Sequence, residues 1–241
     1  MIMHINMHIN YKDFTVVLPT LNEEKTIGKL IRYILSHYKG IHVLVVDDGS
    51  VDSTERRVKK ISERHREIRF FDRHRLGLSR GLTASVIFGI SRSKTRYAIV
   101  MDADLQHPPE ILGELAKQLA HGTDLAVAVR ASVPHWAFYR KLISKSLMLI
   151  GKIDLRARGR NTCKDIFSGF FGIRRQLFVE TYAKNKDRFV GYGYKVLFDF
   201  LKCERKRIRI SEVPYVFKTR KAGTSKAGIK QGLALLKSFV S

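Results

Sequence analysis

Residues 100–110 read VMDADLQHPPE, with Asp102 and Asp104 one residue apart at the end of an apolar run. A charged pair at the tip of a buried strand is costly unless it meets a cation or water. Two carboxylates at this spacing are hard oxygen ligands for Mg2+ or Mn2+, which could bridge to a diphosphate. Water or the amide oxygen of Gln106 would complete the octahedron. Asp48, in VVDDGS, suits a second task, accepting hydrogen bonds from a nucleobase or a ribose hydroxyl. Singly, each of these carboxylates reads equally well as a helix cap or a solvated turn.

The elements that must position them alternate. FTVVL (14–18), IHVLVV (41–46), EIRFF (67–71), YAIVM (97–101) and DLAVAV (124–129) are apolar runs of strand length. Between them lie helical patterns of ten to fifteen residues. The first has Asn22 as candidate N-cap and an apolar stripe of Ile27, Leu30, Ile31 and Ile34. Such alternation predicts βαβ units around a mostly parallel sheet covered on both faces. Ligands of such sheets gather at the carboxyl ends of the strands. PTLNEE, DDGS and DADLQ all fall there, so Asn22, Glu23, Asp47, Asp48, Asp102 and Asp104 should share one edge. Three acidic strand ends on one edge favour a binding site over three unrelated caps.

After residue 130 the pattern is less regular. A helix is expected over 136–153, with a wide apolar face and four cations. A short strand and a helix follow within 165–178, then a helix at 192–203, a strand at 207–217 and an amphipathic helix at 226–240. Charge is divided unevenly. Residues 1–129 carry 19 Lys+Arg against 15 Asp+Glu, net +4, and residues 130–241 carry 26 against 7, net +19. A half-chain this basic expects an anionic partner. The 241 residues suit one α/β domain. Cys163 and Cys203 form no CxxC pattern and read as reduced thiols of a cytosolic protein. The absence of an 18-residue apolar stretch predicts no transmembrane helix, and no signal peptide is expected. No Walker loop, GxGxxG, HExxH, zinc-finger spacing or GxSxG elbow is found. Their absence argues against an NTPase, a dehydrogenase, a zinc hydrolase and a serine hydrolase.

VVLPTLNEE, VLVVDDGSVDST, RGLTASVIFGI and VMDADLQHPPE together resemble the family 2 glycosyltransferases of GT-A fold. DIFSGFFGIRR is similar to that family's D-x-x-S-G-F segment. FKTRKAGTSK resembles the F-x-x-R-x-x-G-x-S-K of its polyprenol-phosphate branch, dolichol-phosphate mannose synthases above all. The resemblance runs from about residue 14 to 235. It implies an α/β GT-A (Rossmann-like) nucleotide-sugar-binding fold, with a mostly parallel central sheet flanked by helices and a C-terminal amphipathic helix. The implied division is a tail over 1–12, a catalytic domain over 13–225 and a helix over 226–241. The catalytic domain divides into a donor half, 13–129, and an acceptor half, 130–225.

The implied reaction is inverting transfer of mannose from GDP-mannose to dolichyl (polyprenyl) phosphate, assisted by Mg2+ or Mn2+. Asp102, Asp104 and Gln106 would bind the metal and with it the donor diphosphate. Pro19, Leu21, Glu23, Val46, Asp48 and Ala103 would line the nucleotide pocket; Leu21 stands where the family usually has Tyr or Phe. Arg130 would face the phosphates. Arg140 and Ser144, at i and i+4 on one helix face, would hold the lipid phosphate. Arg220 and Lys226 would close over both phosphates. Asp165 is either a base or sugar-hydroxyl contact, or a structural cap. The acceptor is a phosphate monoester whose second pKa lies near ~6, so it needs no strong base, and catalysis rests on positioning and electrostatics. The expected location is cytoplasmic, peripheral on the cytosolic face of an anionic membrane, with the helices at 136–153 and 226–240 either in the interface or packed on the core. Competing readings are a UDP-glucose or other UDP-sugar donor, a basic nucleic-acid-binding protein, which no RNA-binding signature supports, and a non-catalytic membrane scaffold.

Overall fold

A computed structural model describes residues 9–132, 138–190 and 195–218, with side chains throughout except at 138–142. The amino-terminal part alternates as its apolar runs predict. β1 (Phe14–Thr20), α1 (Ile27–His37), β2 (His42–Asp47), α2 (Thr54–Ser62), β3 (Ile68–Asp72), α3 (Leu82–Arg92), β4 (Tyr97–Val100), α4 (Ile111–Ala120) and β5 (Leu125–Ser132) follow in order. The rest is α5 (Phe138–Ala157), β6 (Phe171–Arg174), α6 (Arg175–Lys184), α7 (Val196–Cys203) and β7 (Ile210–Val216).

The strands form one sheet in the order β3-β2-β1-β4-β6-β5-β7. All neighbours pair in parallel except β6, which runs antiparallel to both β4 and β5. The apolar pattern shows both faces of the sheet covered, because alternate residues of one strand enter different cores. Phe14, Val16 and Leu18 of β1 pack with α1 residues Ile27, Leu30 and Ile31 and α4 residues Leu112, Leu115 and Leu119. Val17 faces the other way, with Val86 and Ile90 of α3, Phe178 of α6 and Phe198 and Leu201 of α7. Each fully buried Ile, Leu or Phe contributes about 1.5–3 kcal/mol, so this alternation fixes which strand face meets which helix layer.

Two glycines permit the closest approaches. A Cβ on Gly89 of α3 would lie 2.3 Å from Cγ1 of Val17, and one on Gly172 of β6 would lie 2.7 Å from Cδ1 of Leu119. Among the described residues, α5 packs through one side. Leu155 is fully buried, and a Cβ on Gly151 would meet Ile166 at 2.6 Å and Phe167 at 3.3 Å. On the opposite side Ile143, Leu149, Ile150 and Ile153 are 57%, 59%, 52% and 56% exposed. The expected helix over 226–240 and the MHINMHIN repeat (3–10), save its last two residues, lie outside the described residues.

Candidate donor and acceptor site

The parallel strands all end on one edge, and the strand order reverses between β1 and β4. Chain segments leaving these two strands diverge there and open a crevice. Hydrogen bonds carry the ladder past the strand ends: Asp48 N–H to Thr20 O at 3.0 Å and Met101 N–H to Val17 O at 3.2 Å. Because β6 runs backwards, the segment before it, 163–170, also arrives at this edge. With strands about 4.8 Å apart, the ends of β2 and β4 are roughly two spacings, or 10 Å, from each other.

The acidic loop after β4 is built by its own main chain. Leu105 adopts a left-handed φ of 62°, which folds the Gln106 N–H back onto Asp104 Oδ1 at 3.0 Å. Asp104 is buried at 3% exposure, whereas the Asp102 side chain is 29% exposed. The Asp102 N–H donates to His107 Nδ1 at 3.1 Å. His107 is buried, its ring centroid 5.1 Å from Phe170, 5.9 Å from Tyr215 and 5.7 Å from Phe217. Burial pushes its pKa down to about 4, against the pull of Asp104 and Asp165 and with the help of Arg130. The contact of His107 with Asp102 Oδ2 at 3.7 Å is therefore not an ion pair at neutral pH. Gln106 ties the loop to the end of β7: its Nε2 donates to Lys218 O at 3.3 Å and its O accepts from Lys218 N at 3.1 Å.

Among the described residues no group of three or more His, Cys, Asp or Glu side chains forms a metal cage. Two carboxylates and an amide oxygen nonetheless fit Mg2+ or Mn2+, which retain waters and substrate phosphates rather than demanding an all-protein shell. A β-carbon on Gly169 would lie 3.7 and 3.8 Å from the two Asp102 oxygens, so the residue opposite Asp102 is the smallest available.

Arg130, at the end of β5, meets Asp165 in a two-pronged pair, Nε to Oδ2 at 2.7 Å and Nη2 to Oδ1 at 2.9 Å. Burial works to lower the Arg130 pKa, but the bond to Asp165 and its charge outweigh it and leave it raised. Ser168 straps the same segment to β5, its Oγ donating to Ala128 O at 2.7 Å.

On the other side of β1, Asp47 holds the DDGS turn. Its Oδ1 accepts from Gly49 N at 2.9 Å and Ser50 N at 2.7 Å, and its Oδ2 accepts from Thr20 Oγ1 at 3.0 Å. Asp48, expected to accept from a nucleobase or ribose, is already met by Arg73, by Gly81 N at 2.8 Å and by Ser85 Oγ at 2.8 Å, which take three of a carboxylate's roughly four acceptor sites. Asn22 caps no helix. It sits at φ 56°, takes the Val51 N–H on its Oδ1 at 2.9 Å and donates its own N–H to Ser50 Oγ at 2.7 Å, while α1 begins five residues later. The competing demand was cross-linking two loops. Glu23 joins it, its N–H reaching Thr54 Oγ1 at 2.8 Å.

Other expected pocket residues divide. Leu21 is half-buried at the edge and Pro19 is buried near the end of strand β1. The side chains of Val46 and Ala103 lie in the two cores, at 0% and 2% exposure, Val46 from β2 on the α3 face and Ala103 from the loop after β4 on the α1 and α4 face; their main chains remain at the edge. Arg140 and Ser144 share one face of α5; Ser144 is half-buried, and the Arg140 side chain lies outside the described residues, as do Arg220 and Lys226. Two residues of this edge escaped the sequence reading, His107 and Arg73. His107 stands inside the quoted acidic motif, which was the one signal for it; Arg73, 25 residues from Asp48, had none.

The model of the family described as Glycosyl transferase family 2 matches residues 15–181. A dolichol-phosphate mannosyltransferase of Pyrococcus furiosus is 34% identical over 218 residues, which make up 88% of this chain. The chain spans 58% of that relative's length. A dolichol-phosphate mannosyltransferase of Saccharomyces cerevisiae is 27% identical over 227 residues, 89% of this chain and 80% of the yeast protein. Among solved structures, glucosyl-3-phosphoglycerate synthase of Mycobacterium tuberculosis, in complex with Mn2+, UDP-glucose and glycerol 3-phosphate, superposes with a TM-score of 0.65 at 20% identity. It covers 93% of this chain and 76% of its own, a likeness of fold. The matched stretch runs from β1 through α6 and holds both the acidic loop and the Arg130–Asp165 pair, and the chain belongs to Glycosyl transferase family 2.

Proposed function

We propose that this protein is an inverting glycosyltransferase that carries mannose from GDP-mannose to a dolichyl-type polyprenyl phosphate, releasing GDP. The observation that carries the reading is the juxtaposition at the β1/β4 crevice of Asp102 and Asp104 with the Arg130–Asp165 pair, whose charges act on one another and on His107, in a family 2 chain similar to dolichol-phosphate mannosyltransferases. Asp102, Asp104 and the Gln106 amide oxygen hold Mg2+ or Mn2+, which when bound neutralises charge on the diphosphate. Arg130, aimed by Asp165, together with Arg140, Ser144, Arg220 and Lys226, gathers the two anionic substrates. Glu23, Leu21 and the main chain at Val46 and Ala103 border the nucleotide. Asp165 orients Arg130 and takes no proton, because the acceptor phosphate is already mostly dianionic above ~6.

The acceptor's chain lies in a membrane, and α5 has the surface to meet it. Its outer side is apolar, and Lys145, Lys152 and Arg156 flank that side at helical spacing. No helix among the described residues is long and apolar enough to cross a bilayer. The exposed apolar side of α5 supports attachment through an interfacial face, on the cytosolic leaflet where nucleotide sugars are found. The catalytic unit is residues 13–225; the segment 226–241 lies outside the described residues.

Calorimetric titration with GDP and with UDP, each with and without Mn2+, on the wild type and Asp104→Ala, tests this. Metal-dependent GDP binding lost in the variant supports it, and transfer from GDP-mannose to polyprenyl phosphate completes it. Preference for UDP replaces the donor and keeps the enzyme. Binding of neither nucleotide refutes the transferase.

A further inference from the structure

His107 is a buried imidazole without a place in the chemistry above. A histidine inside an apolar core usually satisfies one ring nitrogen on whatever donor is near. Here the donor is the main-chain N–H of Asp102, 3.1 Å from Nδ1. A nitrogen that accepts carries no proton, so the neutral ring holds its proton on Nε2. The ring itself is immobilised by groups from two other segments: Phe170 just before β6, and Tyr215 and Phe217 at and just past the end of β7. Asp102 is the more exposed of the two acidic residues. Its neighbour Asp104 is set by the Gln106 N–H on its carboxylate.

We infer that His107 is a positioning residue for Asp102: as the Nε2–H tautomer it clamps the Asp102 peptide and thereby sets the direction of the carboxylate that receives the divalent cation. The inference rests on the metal-binding reading of Asp102 and Asp104 proposed above. The aromatic cage gives the clamp its rigidity, and the hydrogen bond gives it its direction. Groups that orient ligands from behind in this way change metal affinity about 10–100-fold when removed.

Two replacements separate direction from packing. His107→Phe keeps an aromatic ring in the cage and removes the acceptor. His107→Asn loses the ring and can return an acceptor, its amide oxygen, near the Nδ1 position. The readouts are the imidazole 15N shifts of the wild type at neutral pH, hydrogen exchange of the Asp102 amide, Mn2+ affinity by electron paramagnetic resonance with GDP present, and Tm. The expected results are a wild-type Nε2–H tautomer, an Asp102 amide that is protected in the wild type and in His107→Asn but exposed in His107→Phe, and Mn2+ affinity about 10–100-fold weaker in His107→Phe, largely recovered in His107→Asn. A proton on Nδ1, or Mn2+ binding by His107→Phe within twofold of the wild type, overturns the inference. Should His107→Phe fail to fold, the wild-type tautomer and the His107→Asn affinity still decide. Should the wild type bind no Mn2+, the metal reading fails, and Asp102 amide exchange alone judges the clamp.

Discussion

Arg130 and Asp165 grip each other by two hydrogen bonds at 2.7 and 2.9 Å, with Asp165 only 5% and Arg130 only 19% exposed at the side chain. They come from different elements, the end of β5 and the segment leading into β6. The pair exists because β6 inserts antiparallel between β4 and β5 and brings residue 165 to the edge where β5 ends. A bidentate carboxylate fixes the plane of a guanidinium, so Asp165 gives Arg130 an orientation toward the acidic loop.

Removing one partner of such a buried pair leaves an uncompensated charge, which costs about 3–5 kcal/mol. Asp165→Ala is therefore expected to lower stability by about that amount in urea unfolding. Asp165→Asn keeps the shape, weakens the grip on Arg130 and slows transfer while leaving the form of the pH–rate profile between pH 6 and 8 unchanged. Loss of an ionisation from that profile in Asp165→Asn would assign Asp165 the role of base instead.

Asp48 makes a parallel case just past the end of β2. Arg73 is only 4% exposed and meets Asp48, while its Nη2 donates to Ser79 O at 2.8 Å. Asp48 also accepts from Gly81 N and Ser85 Oγ, so one carboxylate organises the whole β3–α3 connection. Asp48→Ala is expected to lose about 3 kcal/mol or more without any nucleotide present, seen as a Tm lowered by several degrees. An unchanged Tm with weakened nucleotide binding would return Asp48 to a purely recognitive role.

How far the sequence was readable depends on the range of the interaction. The five strands up to β5 were legible because each is a short apolar run between helical stripes, a purely local signal. So was the gathering of DDGS and DADLQ on one edge, which follows from parallel pairing alone. The antiparallel placement of β6 was not, since nothing in DIFSGFFGIRR says which strands it will separate. Val46 and Ala103, expected to line the nucleotide pocket, turn their side chains into the two cores, because nearness to a motif says nothing about which way a side chain faces. Asn22 looked like an N-cap because Asn followed by two Glu is the local pattern; the loop across β1, 28 residues away in Ser50, claimed it instead.

Gly89 offers a test of how tightly α3 is pressed on β1 and β2. Helix propensity alone favours Ala over Gly by about 1 kcal/mol. Against that, the added methyl would sit 2.3 Å from Val17 Cγ1 and 3.1 Å from Val46 Cγ2, and overpacking of a fixed core costs about 1–3 kcal/mol. Sterics outweigh propensity, so Gly89→Ala should lower the Tm. A stabilised variant would mean that α3 can slide outward without loss.

The outer side of α5 distinguishes a helix made for a core from one made for an interface. Ile143, Leu149, Ile150 and Ile153 are each more than half exposed, whereas Gly151 and Leu155 already seat the helix on Ile166, Phe167 and Phe198. The fold therefore does not need the outer side chains. Fully burying an isoleucine is worth about 1.5–3 kcal/mol, and each 1.4 kcal/mol is a factor of ten in binding. Ile150→Ser with Ile153→Ser should then reduce co-sedimentation with anionic phospholipid vesicles by at least tenfold at unchanged Tm. Lys152→Glu on the flank should weaken it further at low salt and less at high salt, where screening removes its contribution. Vesicle binding that survives all three changes would mean that the protein meets the membrane through another surface.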